Sequence, residues 1–319
     1  MAVHAFIFPG QGSQAPGMGR DLAAAFAAAR EVFQEVDDTL GQKLSALMFE
    51  GPAETLTLTE NAQPALMAHS LAVLRVLESE GGFKLADRAV VVAGHSLGEY
   101  SALAAAGAFG IAQAARLLKL RGQAMQKAVP PGAGSMAALL GCEMPLALEI
   151  CAEAAPAPDG GSEVIEAGND NGGGQVVISG ATAAVERAIL IAPTRGVRRA
   201  MKLPVSAPFH CAMMAPAADV MAEALRAAPP LPPVVPLVAN VSAAKATDPD
   251  AIIDLLVRQV TATVRWRECM LTMAGLGVDS FVELGSGKVL SGLVKRIAPE
   301  ASGVNAGTPG EIEALLKLL

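Results

Sequence analysis

The chain has 319 residues, of which 52% are hydrophobic, 17% charged and 3% aromatic. This composition excludes intrinsic disorder and a collagen-like chain, and the length allows one large α/β unit or two subdomains. With 24 Lys and Arg against 31 Asp and Glu, the net charge of −7 has the wrong sign for general binding to nucleic acid or to an anionic membrane.

The cysteines and the N-terminus indicate a cytoplasmic protein. The 4 cysteines lie far apart in the chain and lack the close spacing of a zinc site, so we expect free thiols and no metal. The N-terminus has no Lys or Arg before its short apolar stretch at 4–8, unlike a signal peptide. No apolar run approaches the ~20 residues of a membrane span. We therefore expect a cytoplasmic protein that binds neither membrane nor nucleic acid.

The first third of the chain predicts alternating strands and helices. Continuous apolar runs at 5–8 and 89–93 are followed by glycine, which is typical of strands buried on both faces of a parallel sheet. Long alanine-rich stretches favour crossover helices, which we predict at 21–36, 62–80, 99–106 and 111–128. This part of the chain therefore predicts an α/β unit.

A segment rich in proline and glycine at 130–134 begins a series of shorter elements that ends near Pro204. We predict strands at 135–140, 163–167, 175–179 and 198–203, helices at 145–154 and 182–192, and a turn at 169–174. This β-α-β-β-α-β order is the ferredoxin-like arrangement. We therefore predict an inserted subdomain at 129–204 within a catalytic subdomain made of 1–128 and 205–319.

Alternation of strands and helices resumes after the insert. We predict helices at 216–227, 249–259, 266–275 and from 288 onward, and strands at 237–240 and 280–283. The proline-rich stretch 229–236 is interpreted as a surface connector. The parallel sheet is therefore expected to draw strands from both sides of the insert.

The segment 94–98 (Gly-His-Ser-Leu-Gly) directly follows a predicted strand and opens a predicted helix. A strand, a sharp turn and a helix form the nucleophile elbow of serine enzymes, in which the two glycines leave room for the tight backbone. The serine oxygen then lies at a helix N-terminus, where a developing anion is stabilised. We predict that Ser96 is a nucleophile; the alternative is an ordinary serine cap of the following helix.

A serine nucleophile needs a base, most often histidine, and the chain has 4 histidines. His95 adjoins the serine and is expected to point away from it, His4 lies in a predicted buried strand, and His69 lies in a helix without a partner motif. His210 remains, in a loop at 204–210 that two prolines make rigid. We predict that His210 is the base; the alternative is a structural histidine.

An oxyanion needs two hydrogen-bond donors, and the backbone N–H of the residue after the nucleophile, Leu97, supplies one in this kind of turn. The second donor is expected from a loop at the carboxyl end of another parallel strand. We predict the N–H of Gln11, which follows the strand at 5–8. The competing interpretation of this glycine-rich loop is a dinucleotide site, but Pro16 and the glycines after it occupy the place of the phosphate-binding helix.

Three segments together resemble one known family: 8–14 (Phe-Pro-Gly-Gln-Gly-Ser-Gln), 94–103 (Gly-His-Ser-Leu-Gly-Glu-Tyr-Ser-Ala-Leu) and 206–210 (Ser-Ala-Pro-Phe-His). They are similar to the malonyl-CoA:acyl-carrier-protein transacylases of type II fatty-acid synthesis. With further matches in order, the resemblance runs from position 8 to about 292. It implies an α/β-hydrolase-like large subdomain with a parallel sheet and an inserted ferredoxin-like small subdomain.

The resemblance also implies roles for residues that spacing alone does not single out. The backbone carbonyl of Gln259 orients the histidine in place of an aspartate, and Arg121 pairs with the malonyl carboxylate. Phe209 would crowd the extra methyl group of a methylmalonyl substrate. Asn169 and Asn171 belong to a substrate loop that departs from the family pattern, because three glycines follow Asn171. Without the resemblance, Arg121 would be interpreted as a solvated helix charge.

The implied activity is transfer of a malonyl group from malonyl-CoA to the phosphopantetheine thiol of acyl carrier protein, by a ping-pong mechanism through a malonyl-serine ester. No cofactor is implied, since coenzyme A and the carrier protein are substrates. A serine esterase or thioesterase of the α/β-hydrolase type is the first alternative, although no histidine follows His210 near the C-terminus. The second is a non-catalytic module that binds the carrier protein.

Carrier proteins of this pathway are acidic, so basic clusters are candidate docking sites. The insert cluster is Arg195, Arg198, Arg199 and Lys202, and the C-terminal cluster is Lys288, Lys295 and Arg296. We predict docking at one of them; the alternative for either is a solvated surface. We expect the protein to be a monomer.

Overall fold

The structure, a computed structural model, describes residues 2–205 and 207–319. Met1 and Ser206 lie outside the described residues, and Ser206 is the first residue of the segment 206–210 that resembles the family. In the described part of the chain, no helix is both long and apolar enough to cross a membrane. The predicted mixed α/β architecture is confirmed.

Two sheets organise the fold. The strands are β1 (His4–Phe8), β2 (Ala89–Gly94), β3 (Gly134–Leu140), β4 (Ile165–Gly172), β5 (Gln175–Ala181), β6 (Arg199–Lys202), β7 (Leu237–Val238), β8 (Lys245–Ala246), β9 (Ser280–Leu284) and β10 (Ser302–Ala306). The helices are α1 (Arg20–Ala25), α2 (Ala27–Leu40), α3 (Leu44–Glu50), α4 (Ala53–Thr57), α5 (Thr59–Gly81), α6 (Gly98–Ala105), α7 (Ile111–Lys127), α8 (Met144–Ala154), α9 (Thr182–Thr194), α10 (Ala215–Ala227), α11 (Pro249–Gln259), α12 (Trp266–Gly275), α13 (Ser291–Ile297) and α14 (Pro309–Leu316). Short 3-10 turns lie at Leu85–Asp87 and Ala212–Met214.

The larger sheet has the order β10-β9-β1-β2-β7-β8, and its neighbouring strands run parallel except for β7 and β8. Side chains of β1 alternate between two cores, with Phe6 and Phe8 in one and Ala5 and Ile7 in the other. Burial on both faces explains why this strand is a continuous apolar run. Because the carboxyl ends of parallel strands meet at one edge, the loops after β1, β2 and β9 converge there.

The smaller sheet has the order β4-β5-β3-β6 and is antiparallel. With α8 and α9 it has the β-α-β-β-α-β order predicted from the sequence. The unit has a core of its own, in which Leu139 and Ile178 of the sheet share a cluster with Ile150 of α8 and Val185 of α9.

Backbone hydrogen bonds join the subdomain of the smaller sheet to the subdomain of the larger sheet. The Asp170 N–H donates to the Val264 carbonyl at 2.9 Å, and the Val264 N–H donates to the Gly168 carbonyl at 2.9 Å. The Arg267 guanidinium adds an ion pair with Asp170 at 2.9 Å. These contacts fix β4 against the segment that leads into α12.

The structure corrects several predicted boundaries. The helix predicted at 21–36 is two helices, because the backbone of Phe26 is extended (φ −125°, ψ 130°) between α1 and α2. The turn predicted at 169–174 is wrong for residues 169–172, which lie in β4 because the backbone there pairs with β5 and, at Asn169 and Asp170, with Val264. The strand β10 and the helix α14 are absent from the predictions, since the polar run of β10 (Ser-Gly-Val-Asn-Ala) carries no strand pattern.

Candidate active site

The nucleophile elbow forms where β2 ends and α6 begins. Ser96 has a φ of 55°, in the left-handed region, and stands two residues before the first residue of α6. A Cβ at Gly94 would lie 1.9 Å from the backbone carbonyl carbon of Gly98, and a Cβ at Gly98 would lie 2.3 Å from the Phe8 carbonyl oxygen. Only glycine fits at these two positions, which explains the spacing of the motif.

Ser96 and His210 are in contact although 114 positions separate them. The Ser96 hydroxyl is 2.8 Å from His210 Nε2, and His210 Nδ1 is 2.8 Å from the backbone carbonyl oxygen of Gln259. A carbonyl only accepts, so Nδ1 carries the proton and Nε2 can accept the serine O–H. Burial, assisted by the nearby Arg121 cation, lowers the pKa of His210 to about 3, so the imidazole is a neutral base near pH 7.

Arg121 is buried beside the nucleophile and is not a solvated charge. It is 1% exposed on α7, and Nη1 donates to Gln63 Oε1 at 2.8 Å. Nη2 donates to Gln259 Oε1 at 2.8 Å and to the Ser96 hydroxyl at 3.2 Å. Within residues 2–205 and 207–319, no carboxylate lies within ion-pair distance of this guanidinium. Because this buried guanidinium has no carboxylate partner, its N–H donors can pair with the carboxylate of a bound substrate.

Asn240, which sequence reasoning missed, holds the elbow in shape. Its Oδ1 accepts the Ser96 backbone N–H at 2.8 Å, and its Nδ2 donates to the Gly94 carbonyl at 2.8 Å. One side chain therefore spans the turn and stabilises the left-handed serine. The signal that could have found it is its position, since a polar residue at the carboxyl end of a predicted parallel strand (237–240) faces the functional edge of the sheet.

Glu99 and Gln63 are two further site residues that were not predicted. Glu99 accepts the Asn240 backbone N–H at 2.6 Å and contacts the Gln259 side-chain amide, which donates to it. Gln63 holds one arm of Arg121. Both lie within helical patterns, so nothing in the local sequence distinguishes them from core or surface positions.

The nucleophile opens into a cavity of about 430 Å³ between the two sheets. Gln11 and Leu97 line this cavity, and neither backbone N–H has an acceptor among the residues that the structure describes. The structure therefore brings both predicted oxyanion donors to the cavity of the serine. Their N–H groups are available to a negatively charged oxygen bound there.

The predicted substrate residues also line this cavity. Asn169 and Phe209 are buried in its wall. Asn171 also lines the cavity but is only half-buried, and its Oδ1 accepts the His95 Nε2–H at 2.8 Å. His95 thus lines the same cavity as the serine, although it was expected to point away from it. The bond to Asn171 uses the Nε2 proton of His95, so this histidine supports the wall of the cavity.

The two basic clusters differ in their ion pairs. In the insert cluster, Arg195 pairs with Glu149 and Glu153, and Lys202 pairs with Glu186. In the C-terminal cluster, no residue is paired with a carboxylate from the described ranges. The C-terminal cluster therefore keeps more of its positive charge for a partner.

Serine enzymes that transfer acyl groups use this combination of an elbow, a neutral histidine and paired N–H donors. The fold and the site accordingly define a serine acyl-transfer enzyme.

The chain belongs to the acyl transferase domain family, whose model matches residues 5–307. It is 45% identical over 318 residues to malonyl CoA-acyl carrier protein transacylase of Escherichia coli (strain K12), covering 100% of both chains. It is 42% identical over 319 residues to the Bacillus subtilis (strain 168) protein of the same name, covering 100% of this chain and 98% of the relative.

Solved structures share the fold. Acyl-carrier-protein-S-malonyltransferase from Bartonella henselae is 53% identical, with a TM-score of 0.94 and 99% of each chain covered. A malonyl-transacylase in complex with its type II PKS acyl-carrier protein is 41% identical, with a TM-score of 0.94 and 100% of each chain covered. These relatives confirm the family predicted by resemblance and its α/β fold of two subdomains.

Proposed function

We propose that the protein transfers a malonyl group from malonyl-CoA to the phosphopantetheine thiol of acyl carrier protein. The observation that carries this proposal is the burial of the Arg121 guanidinium 3.2 Å from the Ser96 hydroxyl. A site for a plain acyl chain needs no cation there, whereas a malonyl group brings a carboxylate that pairs with it. The names of the relatives, which specify malonyl and acyl carrier protein, support the same substrates.

In the first half-reaction, His210 Nε2 accepts the Ser96 proton as the serine oxygen bonds to the thioester carbon. The backbone N–H groups of Gln11 and Leu97 hold the resulting oxyanion. The imidazolium then gives its proton to the coenzyme A sulfur as the carbon–sulfur bond breaks, and a malonyl-serine ester remains. The Gln259 carbonyl keeps the Nδ1 proton in place, and because it is neutral it stabilises the imidazolium less than a carboxylate would.

In the second half-reaction, His210 takes the proton of the carrier's thiol, and the thiolate attacks the ester carbon. The ester bond to Ser96 breaks, and the serine oxygen recovers its proton from His210. Arg121 holds the malonyl carboxylate through both half-reactions, so the acyl group keeps one position. The cycle is ping-pong and needs no cofactor, because side chains and backbone groups of this chain perform each step.

Mass spectrometry of the intact protein after incubation with malonyl-CoA tests this function. A transacylase gains one malonyl group and passes it to added carrier protein, an esterase loses the group to water, and a binding module never gains it. Ser96→Ala should abolish the adduct. Ser101→Ala is the matched control, because Ser101 lies in α6 but does not line the cavity.

The C-terminal cluster is the docking site that we propose for the carrier protein. Its residues Lys288, Lys295 and Arg296 are exposed, and opposite charge draws an acidic partner to them. The neighbouring Val289, 55% exposed, and Leu290 line the cavity, so a carrier bound there has its arm at the entrance.

Charge reversal distinguishes the two clusters. Lys295→Glu should raise the KM for carrier protein several-fold and leave the KM for malonyl-CoA unchanged. Arg198→Glu, in the insert cluster, is the matched control and should change neither. A raised KM for carrier protein with Arg198→Glu, and an unchanged one with Lys295→Glu, would show that the carrier docks at the insert cluster instead.

The subdomain boundaries are proposed at 129–204 for the insert and at 1–128 with 205–319 for the catalytic subdomain. The separate core of the smaller sheet supports this division. We also propose that the protein acts in the cytoplasm, where its 4 free and buried cysteines suit a reducing environment. The monomeric state stays a prediction.

A further inference from the structure

Behind the serine–histidine pair lies a carboxyl group that the proposed reaction does not use. Glu99 is 1% exposed, and its Oε1 accepts the Asn240 N–H at 2.6 Å. Its Oε2 accepts from Gln259 Nε2, while Gln259 Oε1 accepts from Arg121 Nη2 at 2.8 Å. A single side-chain amide therefore joins a buried carboxyl group to the buried guanidinium.

This arrangement bears on the charge balance of the empty site. A buried cation without a counter-charge costs free energy. The Glu99 carboxyl group is connected to Arg121 through one intervening side chain, the amide of Gln259. The other titratable groups that face Glu99 supply no anion. Burial raises the pKa of Tyr100 to about 12 and raises the pKa of the Cys269 thiol, so both are neutral, as is His210.

We propose that Glu99 is a positioning residue for the malonyl carboxylate: in its ionised form it balances Arg121 in the empty enzyme, and this form takes up one proton when the malonyl carboxylate pairs with Arg121. This inference rests on the proposed function. The acid form of the buffer supplies the proton: its bond to hydrogen breaks, its conjugate base remains in solution, and the O–H bond of Glu99 forms. Without that proton, two anions would share one buried cation. An acyl group without a carboxylate brings no second anion, so it leaves Glu99 unchanged.

The contacts also supply an acceptor for the added proton. Gln259 Oε1 is occupied by Arg121 in the empty site. When Nη2 turns to the acyl carboxylate, this oxygen loses its donor, and rotation of the amide presents it to the new Glu99 O–H. Burial raises the pKa of Glu99 to about 8, which makes both charge states accessible between pH 7 and 9.

Proton uptake on binding can be measured by calorimetry of the Ser96→Ala variant with malonyl-CoA, in two buffers with different ionisation enthalpies. Removing the nucleophile stops the chemistry, so the thiol of coenzyme A releases no proton. Uptake should rise between pH 7 and 9 towards about one proton per malonyl-CoA, and acetyl-CoA should show none. Uptake below about 0.2 proton throughout this range, or equal uptake with acetyl-CoA, would overturn the proposal.

Two variants assign the proton to one residue. In the Ser96→Ala background, Glu99→Gln mimics the protonated carboxyl group, so malonyl-CoA should still bind but without proton uptake. Glu99→Asp in the same background keeps a carboxyl group and should retain the proton uptake. Uptake that persists with glutamine, or that disappears equally with both variants, would overturn the role of Glu99. A wild-type enzyme that forms no malonyl adduct would refute the proposed function itself. An adduct that forms and transfers, without proton uptake on binding, would refute only the role of Glu99.

Discussion

Replacing the buried guanidinium by an apolar side chain, Arg121→Met, should separate malonyl transfer from simple acyl transfer. Arg121 Nη2 lies 3.2 Å from the Ser96 hydroxyl, within the reach of the carboxylate of a malonyl group attached to that oxygen. Methionine fills much of the same buried volume over the Tyr100 ring, to whose centroid the guanidinium carbon is 5.8 Å. The substitution therefore removes the donors with little loss of packing.

The magnitude follows from the burial of the pair. Leaving one partner of a buried charged pair without the other costs about 3–5 kcal/mol. Since about 1.36 kcal/mol corresponds to a tenfold change in rate, kcat/KM for malonyl-CoA should fall about 10²- to 10⁴-fold. Acetyl-CoA has no carboxylate to lose, so its kcat/KM should remain within about tenfold of the wild-type value or rise.

The assay is the rate of acyl-enzyme formation, followed by intact mass with each thioester. Arg116→Met is the matched control, because Arg116 lies on the exposed face of α7 and should leave both rates unchanged. Malonyl loading within about fivefold of wild type would refute the pairing of Arg121 with the carboxylate. An equal loss for both acyl groups would show instead that Arg121 serves the nucleophile.

Four further results are expected. With the pKa of His210 lowered to about 3, quenched-flow rates of loading should stay flat from pH 7 down to about 5, and a tenfold fall per pH unit below 6.5 would contradict a neutral base. The same shift should lower the unfolding free energy in urea as the pH falls below 6.5, since the unfolded chain binds a proton that the folded site excludes. Gly94→Ala places a Cβ 1.9 Å from the Gly98 backbone and should abolish activity or folding, whereas Gly110→Ala, whose Cβ meets nothing within 4 Å, should be tolerated in activity and melting assays. Asn240→Ala leaves the N–H of the nucleophile without its acceptor and should lower kcat about 5- to 150-fold with little change in KM, and an unchanged kcat would show that the elbow holds its own shape.

The parts of the site that the sequence predicted are those with local backbone signals. The elbow depends on Gly94, where a Cβ would meet the backbone of Gly98 four residues on, and the strand before it is a plain apolar run. The rigid loop of His210 likewise carries its prolines beside the histidine. Elimination among 4 histidines then indicated the partner of Ser96, and the structure places the two groups 2.8 Å apart.

The residues that local sequence patterns do not single out depend on contacts between distant elements. Arg121 has the sequence context of a surface charge, and its burial becomes evident only when α7 packs against α5 and presents it to Gln63. Glu99 is satisfied by groups more than a hundred positions away. The strand β4 continues through Asn169 and Asp170 because Val264 and Arg267 pair with this polar stretch, and neither partner adjoins it in sequence.

The attachment of β4 at Val264 holds one wall of the cavity in place, because Asn169 and Asn171 of this strand line it. Swinging the smaller sheet outward would break two backbone hydrogen bonds of 2.9 Å and the ion pair of Asp170 with Arg267. The asparagine side chains of this wall therefore keep a constant distance from Ser96, which lines the same cavity. The smaller subdomain thus acts as a rigid jaw of the active site, and substrates enter and leave without any need for it to swing open.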